Sequence, residues 1–110
     1  MENITLNQLV YDSNGLIPTI AQERSTKEIL MVAYSNEESI KKTLESRKAH
    51  FWSRSRNKIW MKGETSSNYL NVFQISTDCD NDTLIFEVEL DGKSACHTGS
   101  KTCFFKILEQ

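Results

Sequence analysis

Three groups of residues carry side chains whose types and spacing suit chemistry. The first is Asp78-Cys79-Asp80-Asn81-Asp82. In extended backbone successive side chains alternate, so Asp78, Asp80 and Asp82 would share one face and Cys79 would take the other. Clustered carboxylates suit a hard cation such as magnesium and a thiolate suits zinc, so one pentapeptide could serve two metals. The same residues also suit a hairpin turn between two strands, because Asp and Asn favour turns through local side-chain hydrogen bonds.

The second group is Ala95-Cys96-His97-Thr98-Gly99 with Cys103, two thiols seven positions apart and an imidazole beside the first. This is no zinc-finger spacing. With Cys79 they make three soft ligands, and three protein ligands with an open fourth position is the catalytic arrangement of zinc. Zinc brings the pKa of a bound water to about 7, and His97 could accept or position the proton. The alternative is two ordinary buried cysteines and a loop histidine. Three cysteines are an odd number in a chain without a secretion signal, which argues against a disulfide framework.

The third group runs from Phe51 to Ser66 and gathers four cations, two Trp and several hydroxyls in sixteen residues. Arg54, Arg56 and Lys62 could hold a phosphate, and an indole such as Trp52 could stack on a purine ring. Gly63 would let the backbone approach a ligand. The alternative is a solvated hairpin with Trp as core filler.

Elements that position these groups can be read from hydrophobic pattern. Leu16–Ala21 and Ile29–Tyr34 are apolar runs joined by a polar turn, as in two strands. Ser35 and Glu38 form a capping-box pair ahead of Ile40 and Leu44, which predicts one helix ending near Ser46. From His50 the pattern predicts strands at Phe51–Ser53, Ile59–Met61, Tyr69–Ser76, Thr83–Leu90 and Thr102–Leu108. His50 itself reads as a boundary residue. The expected fold is α+β, a mostly antiparallel sheet of short strands with one main helix, in a single domain over residues 1–110.

The chain has 110 residues, 38% of them apolar and 25% charged, which excludes an intrinsically disordered composition. Thirteen basic against fifteen acidic residues leave a formal charge of -2, so no net basic field favours nucleic acid. No apolar run approaches the length of a membrane span and the first residues lack a signal-peptide pattern, so a cytoplasmic protein without membrane contact is expected.

Taken together, the three groups resemble the phosphoribosyl-AMP cyclohydrolases of the third step of histidine biosynthesis. The resemblance runs through Gly15-Leu16-Ile17-Pro18, Leu30 to Tyr34 with Asn36-Glu37-Glu38, Phe51 to Arg56, Lys62-Gly63-Glu64-Thr65-Ser66, Asp78 to Asp82, and Ala95 to Gly99 with Cys103-Phe104. It implies zinc on Cys79, Cys96 and Cys103, and magnesium on Asp78, Asp80 and Asp82. It implies an intertwined homodimer with shared zinc sites, so that Cys79 of one chain meets Cys96 and Cys103 of the other. It also implies a nucleotide substrate, phosphoribosyl-AMP, held by Trp52, Arg54, Arg56, Lys62, Glu64, Thr65 and Ser66. The implied reaction opens the adenine ring by hydrolysis between nitrogen 1 and carbon 6, with His97 as the proton-transfer candidate. Some members carry a second, pyrophosphohydrolase domain, an activity expected to reside elsewhere here.

Two other readings fit less well. A deaminase of the cytidine type needs His-x-Glu and Pro-Cys-x-x-Cys, and neither occurs. A zinc-stabilised module binding single-stranded RNA through Trp52 and Trp60 would use the Arg-Ser-Arg run, but the net charge opposes it.

Overall fold

Alternation of buried and partly exposed residues along Ile17–Glu23 (β1) turns Ile17, Thr19, Ala21 and Glu23 inward. The same period of two in Leu84–Asp91 (β6) buries Leu84, Phe86 and Val88. These two strands lie side by side and parallel, in a computed structural model that describes residues 2–110. Around them the chain adds Ile29–Ser35 (β2), the helix Glu37–Ser46 (α1), His50–Ser53 (β3), Lys58–Met61 (β4) and Tyr69–Thr77 (β5). The six strands form one sheet in the order β4-β3-β2-β1-β6-β5. The neighbours of β1 and β6 on their other sides, and the β3 pairings, are antiparallel, so the sheet is mixed around a central parallel pair. Among the described residues, no helix is long and apolar enough to cross a membrane.

The sheet curls. Residues 47–49, between α1 and β3, reach the outer edge of β5: the Ala49 N–H donates to the Leu70 carbonyl at 3.0 Å and the Val72 N–H to the Arg47 carbonyl at 2.7 Å. A bulge between Val72 and Gln74 bends β5 where this contact ends. Inside the curl, the ring of Phe51 stacks on Phe86 with centroids 5.6 Å apart and meets Trp60 at 5.5 Å. Ile17, Leu30, Ile40, Leu70, Leu84 and Val88 complete the core around them.

The structure departs from the sequence expectations at two elements. The helix is capped by Asn36, whose side chain accepts from the Ser39 N–H at 2.8 Å, while the Ser39 hydroxyl accepts from the Asn36 N–H at 2.9 Å. Ser35 is unavailable for that role because it belongs to β2, where its buried hydroxyl shares a 2.7 Å hydrogen bond with Thr19. The predicted strand Thr102–Leu108 does not form: residues 101–110 have no regular structure, because they meet β2 of their own chain only at Thr102 and Cys103 and do not continue along it. His50 is half-buried at the start of β3, its Nδ1 2.8 Å from the Lys48 carbonyl.

Phe51 is fully buried between two aromatic rings, so Phe51→Ala is expected to cost about 3 to 5 kcal/mol of folding free energy through lost transfer and a residual cavity. Urea unfolding followed by tryptophan fluorescence would measure it, and a loss below about 1 kcal/mol would contradict this core assignment.

Candidate active site

β2 and β3 pair only at Tyr34 and Trp52, so the first half of β2 is left without a strand on that side. The segment after β6 fills the gap. Its turn is closed by hydrogen bonds from the Ala95 N–H to the Lys101 carbonyl (2.9 Å), Cys96 N–H to Ser100 (3.2 Å) and Gly99 N–H to Cys96 (3.1 Å). Gly99 adopts φ +93°, a conformation that an L side chain would strain. The segment docks on β2 through the Cys103 N–H, which donates to the Leu30 carbonyl at 2.7 Å, and the Thr102 hydroxyl, which donates to the Ile29 carbonyl at 2.6 Å. Lys101 then locks it in place, its Nζ 2.7 Å from Glu23 and 3.2 Å from Glu28. Glu23 is only 5% exposed, and Thr26 adds a hydroxyl donor at 2.9 Å.

This docking brings Cys96, Cys103 and Lys62 together. The Thr98 hydroxyl donates to Cys96 Sγ at 3.0 Å. That bond, the Thr98 backbone and the neighbouring Cys103 and Lys62 hold the Cys96 thiol below its ordinary range. Burial, then the adjacent Cys96, push the Cys103 thiol up. Burial pulls the Lys62 ammonium down, against the two thiols, which favour its charge. One thiol is thus prepared for the thiolate form beside a cation, the state in which cysteine binds metals. His97 follows Cys96 and is exposed.

Asp78, Asp80 and Asp82 are exposed at the turn between β5 and β6, each offering a carboxylate oxygen within 4.8 Å of the others. Turn and cluster, which the sequence left as alternatives, coexist. Asn81 takes φ +63°, its N–H donates to the Asp78 carbonyl at 3.1 Å, and the Asp82 N–H donates to the Asp78 carboxylate at 3.1 Å. The crowding separates the acids. Partial desolvation of Asp78 is outweighed by the bonds it accepts, which leave it below its usual range. Sharing a hydrogen bond with Asp80, and the nearby Asp78 charge, lift Asp82 above it.

Cys79 sits in this turn and does not meet the other thiols; the aspartates are the one three-residue metal-ligating cluster among the described residues. Topology explains the separation. Cys103 is docked on β2, and Cys79 follows β5, three strand spacings away across β1 and β6, roughly 14 Å at about 4.8 Å per spacing.

The remaining candidates fall into two places. Trp52 and Arg54 line a hollow of about 560 Å³ with Asn14, Leu16, Asn36 and Asn57, and the Arg54 guanidinium lies 4.1 Å from the centre of the Tyr34 ring. Arg56 is exposed at the β3–β4 turn. Glu64, Thr65 and Ser66 are exposed on the loop that follows Lys62. That loop turns at Gly63, where φ is +94° and a Cβ would come within 2.7 Å of the Asn68 backbone.

The family model for phosphoribosyl-AMP cyclohydrolase matches residues 31–105, which include the three cysteines, the three aspartates, His97 and the substrate-binding candidates from Trp52 to Ser66. The chain belongs to the phosphoribosyl-AMP cyclohydrolase family. It is an enzyme, a hydrolase of histidine biosynthesis. It is 55% identical over 102 residues to the phosphoribosyl-AMP cyclohydrolase of Archaeoglobus fulgidus, covering 93% of this chain and 94% of that one. The same-named protein of Methanoregula boonei is 50% identical over 101 residues, 92% of this chain and 81% of the relative. The histidine biosynthesis bifunctional protein HisIE of Aquifex aeolicus is 52% identical over 102 residues, and the chain spans 50% of its length.

Reasoning from sequence missed Glu23, Glu28 and Lys101, which hold the Cys96–Cys103 loop on β2. Lys101 is 78 positions from Glu23, and charged residues at that separation carry no local pattern. The Thr98 hydroxyl was legible only as a neighbour of Cys96.

The Glu23–Lys101 pair predicts a pH dependence. The bond from Lys101, with Thr26 and the lysine charge, lowers the Glu23 pKa against the effect of burial, so the unfolded chain binds the proton more readily. The stabilisation is fully present above the unfolded carboxylate pKa of about 4.3 and is lost as pH falls through the lower folded value. Thermal melts between about pH 6 and 3 should fall more steeply for the natural protein than for Glu23→Gln; parallel curves would remove this role.

Proposed function

We propose that the chain hydrolyses the adenine ring of phosphoribosyl-AMP between nitrogen 1 and carbon 6, as a homodimer that uses zinc and magnesium. The observation that carries this reading is the pairing of Cys96 and Cys103 beside Lys62, with Cys79 held apart on the aspartate turn, in a chain of this family. Three thiols are a donor set for zinc, and three converging carboxylate oxygens are one for a hard cation such as magnesium. Since one protomer supplies two thiols at one place and the third elsewhere, Cys79 of one chain would complete the set formed by Cys96 and Cys103 of its partner.

When bound, zinc would supply a water acidified toward a pKa of about 7, and magnesium would offset phosphate charge. The residues of the chain do the rest. The water oxygen bonds to carbon 6, and the bond from carbon 6 to nitrogen 1 breaks. One water proton passes through His97 to nitrogen 1. The other ends on the exocyclic nitrogen, leaving a carboxamide. His97 is exposed next to Cys96, which supports this role. Trp52 and Arg54, in their common hollow, would take the base and one phosphate end, and Arg56 would reach the substrate from the exposed β3–β4 turn. Lys62 and the Glu64-Thr65-Ser66 loop would hold the substrate beside the thiols.

Mixing phosphoribosyl-AMP with metal-loaded protein should change the ultraviolet absorbance as the ring opens, and chelation should abolish the change. No change from folded protein carrying zinc would overturn the activity. Cys96→Ser should lose zinc and turnover together. Shared sites make a sharper claim: Cys79→Ser and Cys96→Ser are each inactive, yet mixing and reassociating them should recover about a quarter of the natural activity, because half of the dimers would hold one intact site. Absence of any recovery from mixed dimers would count against shared thiols.

A further inference from the structure

Residues after Cys103 carry an apolar surface that their own chain does not use. Phe104, Phe105, Ile107 and Leu108 are 56%, 50%, 89% and 85% exposed. Four large apolar side chains at these exposures within five residues mark a contact surface. The same molecule has an unfilled strand edge of matching length. β5 is an outer strand of the sheet; residues 47–49 cover its first half at Leu70 and Val72, and the bulge then frees Phe73–Thr77. Beside that open half lies a cavity of about 590 Å³ lined by Leu6, Ile40, Leu44, Ile75 and Leu84, with Glu2 and Asp78 as its acidic groups.

We infer that residues 104–108 of one copy add as a strand, antiparallel to Phe73–Thr77, on β5 of a second copy. The inference rests on the shared thiol site proposed above, which fixes both position and direction. A thiol set shared in this way would bring the partner's Cys103 close to Cys79. Cys79 lies two residues beyond the end of β5, so the residues after that Cys103 run back along β5 from Thr77 toward Phe73. Alternate side chains of the added strand enter the apolar cavity, and Lys106 meets its acidic rim. The strand propensity of Thr102–Leu108 is then satisfied between chains, not within one.

The test uses the full chain with Ile107→Ser and Leu108→Ser together, and a second chain ending at Cys103. Both positions are nearly fully exposed in the protomer, so the double variant leaves protomer folding unchanged. Sedimentation at decreasing concentration should show the dimer of either chain weakened at least about tenfold, as loss of buried apolar side chains requires. Hydrogen exchange should show the amides between Phe73 and Thr77 that point away from β6 protected in the natural dimer and at least about tenfold faster in both variants. Unchanged dimer affinity and exchange would overturn the strand, as would protection that persists in the dilute monomer. Recovery of activity from mixed Cys79→Ser and Cys96→Ser chains reads the thiol site separately. A tail effect without that recovery would support the strand and count against the shared zinc, whereas recovery without a tail effect would do the reverse.

Discussion

Everything at the site depends on one gap in hydrogen bonding, the divergence of β2 from β3 after the single pair Tyr34 and Trp52. Unpaired backbone in a sheet has to find partners. Here the carbonyls of Ile29 and Leu30 find them in Thr102 and Cys103. The thiol-bearing loop is thereby built into the sheet in place of a strand. Lys62, at the end of β4, stands on the other side of the same gap and reaches the thiols.

The electrostatics follow from this placement. A nearly buried carboxylate such as Glu23 is costly without a cation, and the cation comes from the docked loop. A thiol lowered by the Thr98 hydroxyl sits next to one raised by burial, so the pair presents both an available charge and a place to extend it. At the far side of the sheet the aspartate turn does the opposite, concentrating negative charge in the open where only a cation relieves it. The two places differ in donor chemistry and in exposure, and the parallel pair β1 and β6 holds them apart.

Local pattern in the sequence was sufficient for the elements and insufficient for their partners. Period-two alternation in Leu84–Leu90 and the Ile40, Leu44 spacing appear in the structure as β6 and α1, because burial of one face acts at short range. The cap passed from Ser35 to Asn36 because a residue sixteen positions away in sequence, Thr19 on the adjacent strand, claimed the serine hydroxyl. Thr102–Leu108 has the composition of a strand, but pairing needs an edge, and which edge is a property of topology that composition does not encode. Side chains suited to metals were readable one by one. Their division into two places was not, since it is set by strand order.

The pairing of Glu23 with Lys101 also orders events in time. The hairpin of β1 and β2 emerges early from synthesis, carrying a carboxylate at its end whose cation follows 78 positions later. Non-local contacts of this span are late to form, since the loop they close must first be complete. The central strand β6 arrives late as well, so the N-terminal third must wait, partly assembled, for the C-terminal third. A nascent chain of this kind completes its sheet, its buried ion pair and its thiol loop together, and only once Lys101 and Cys103 have been made.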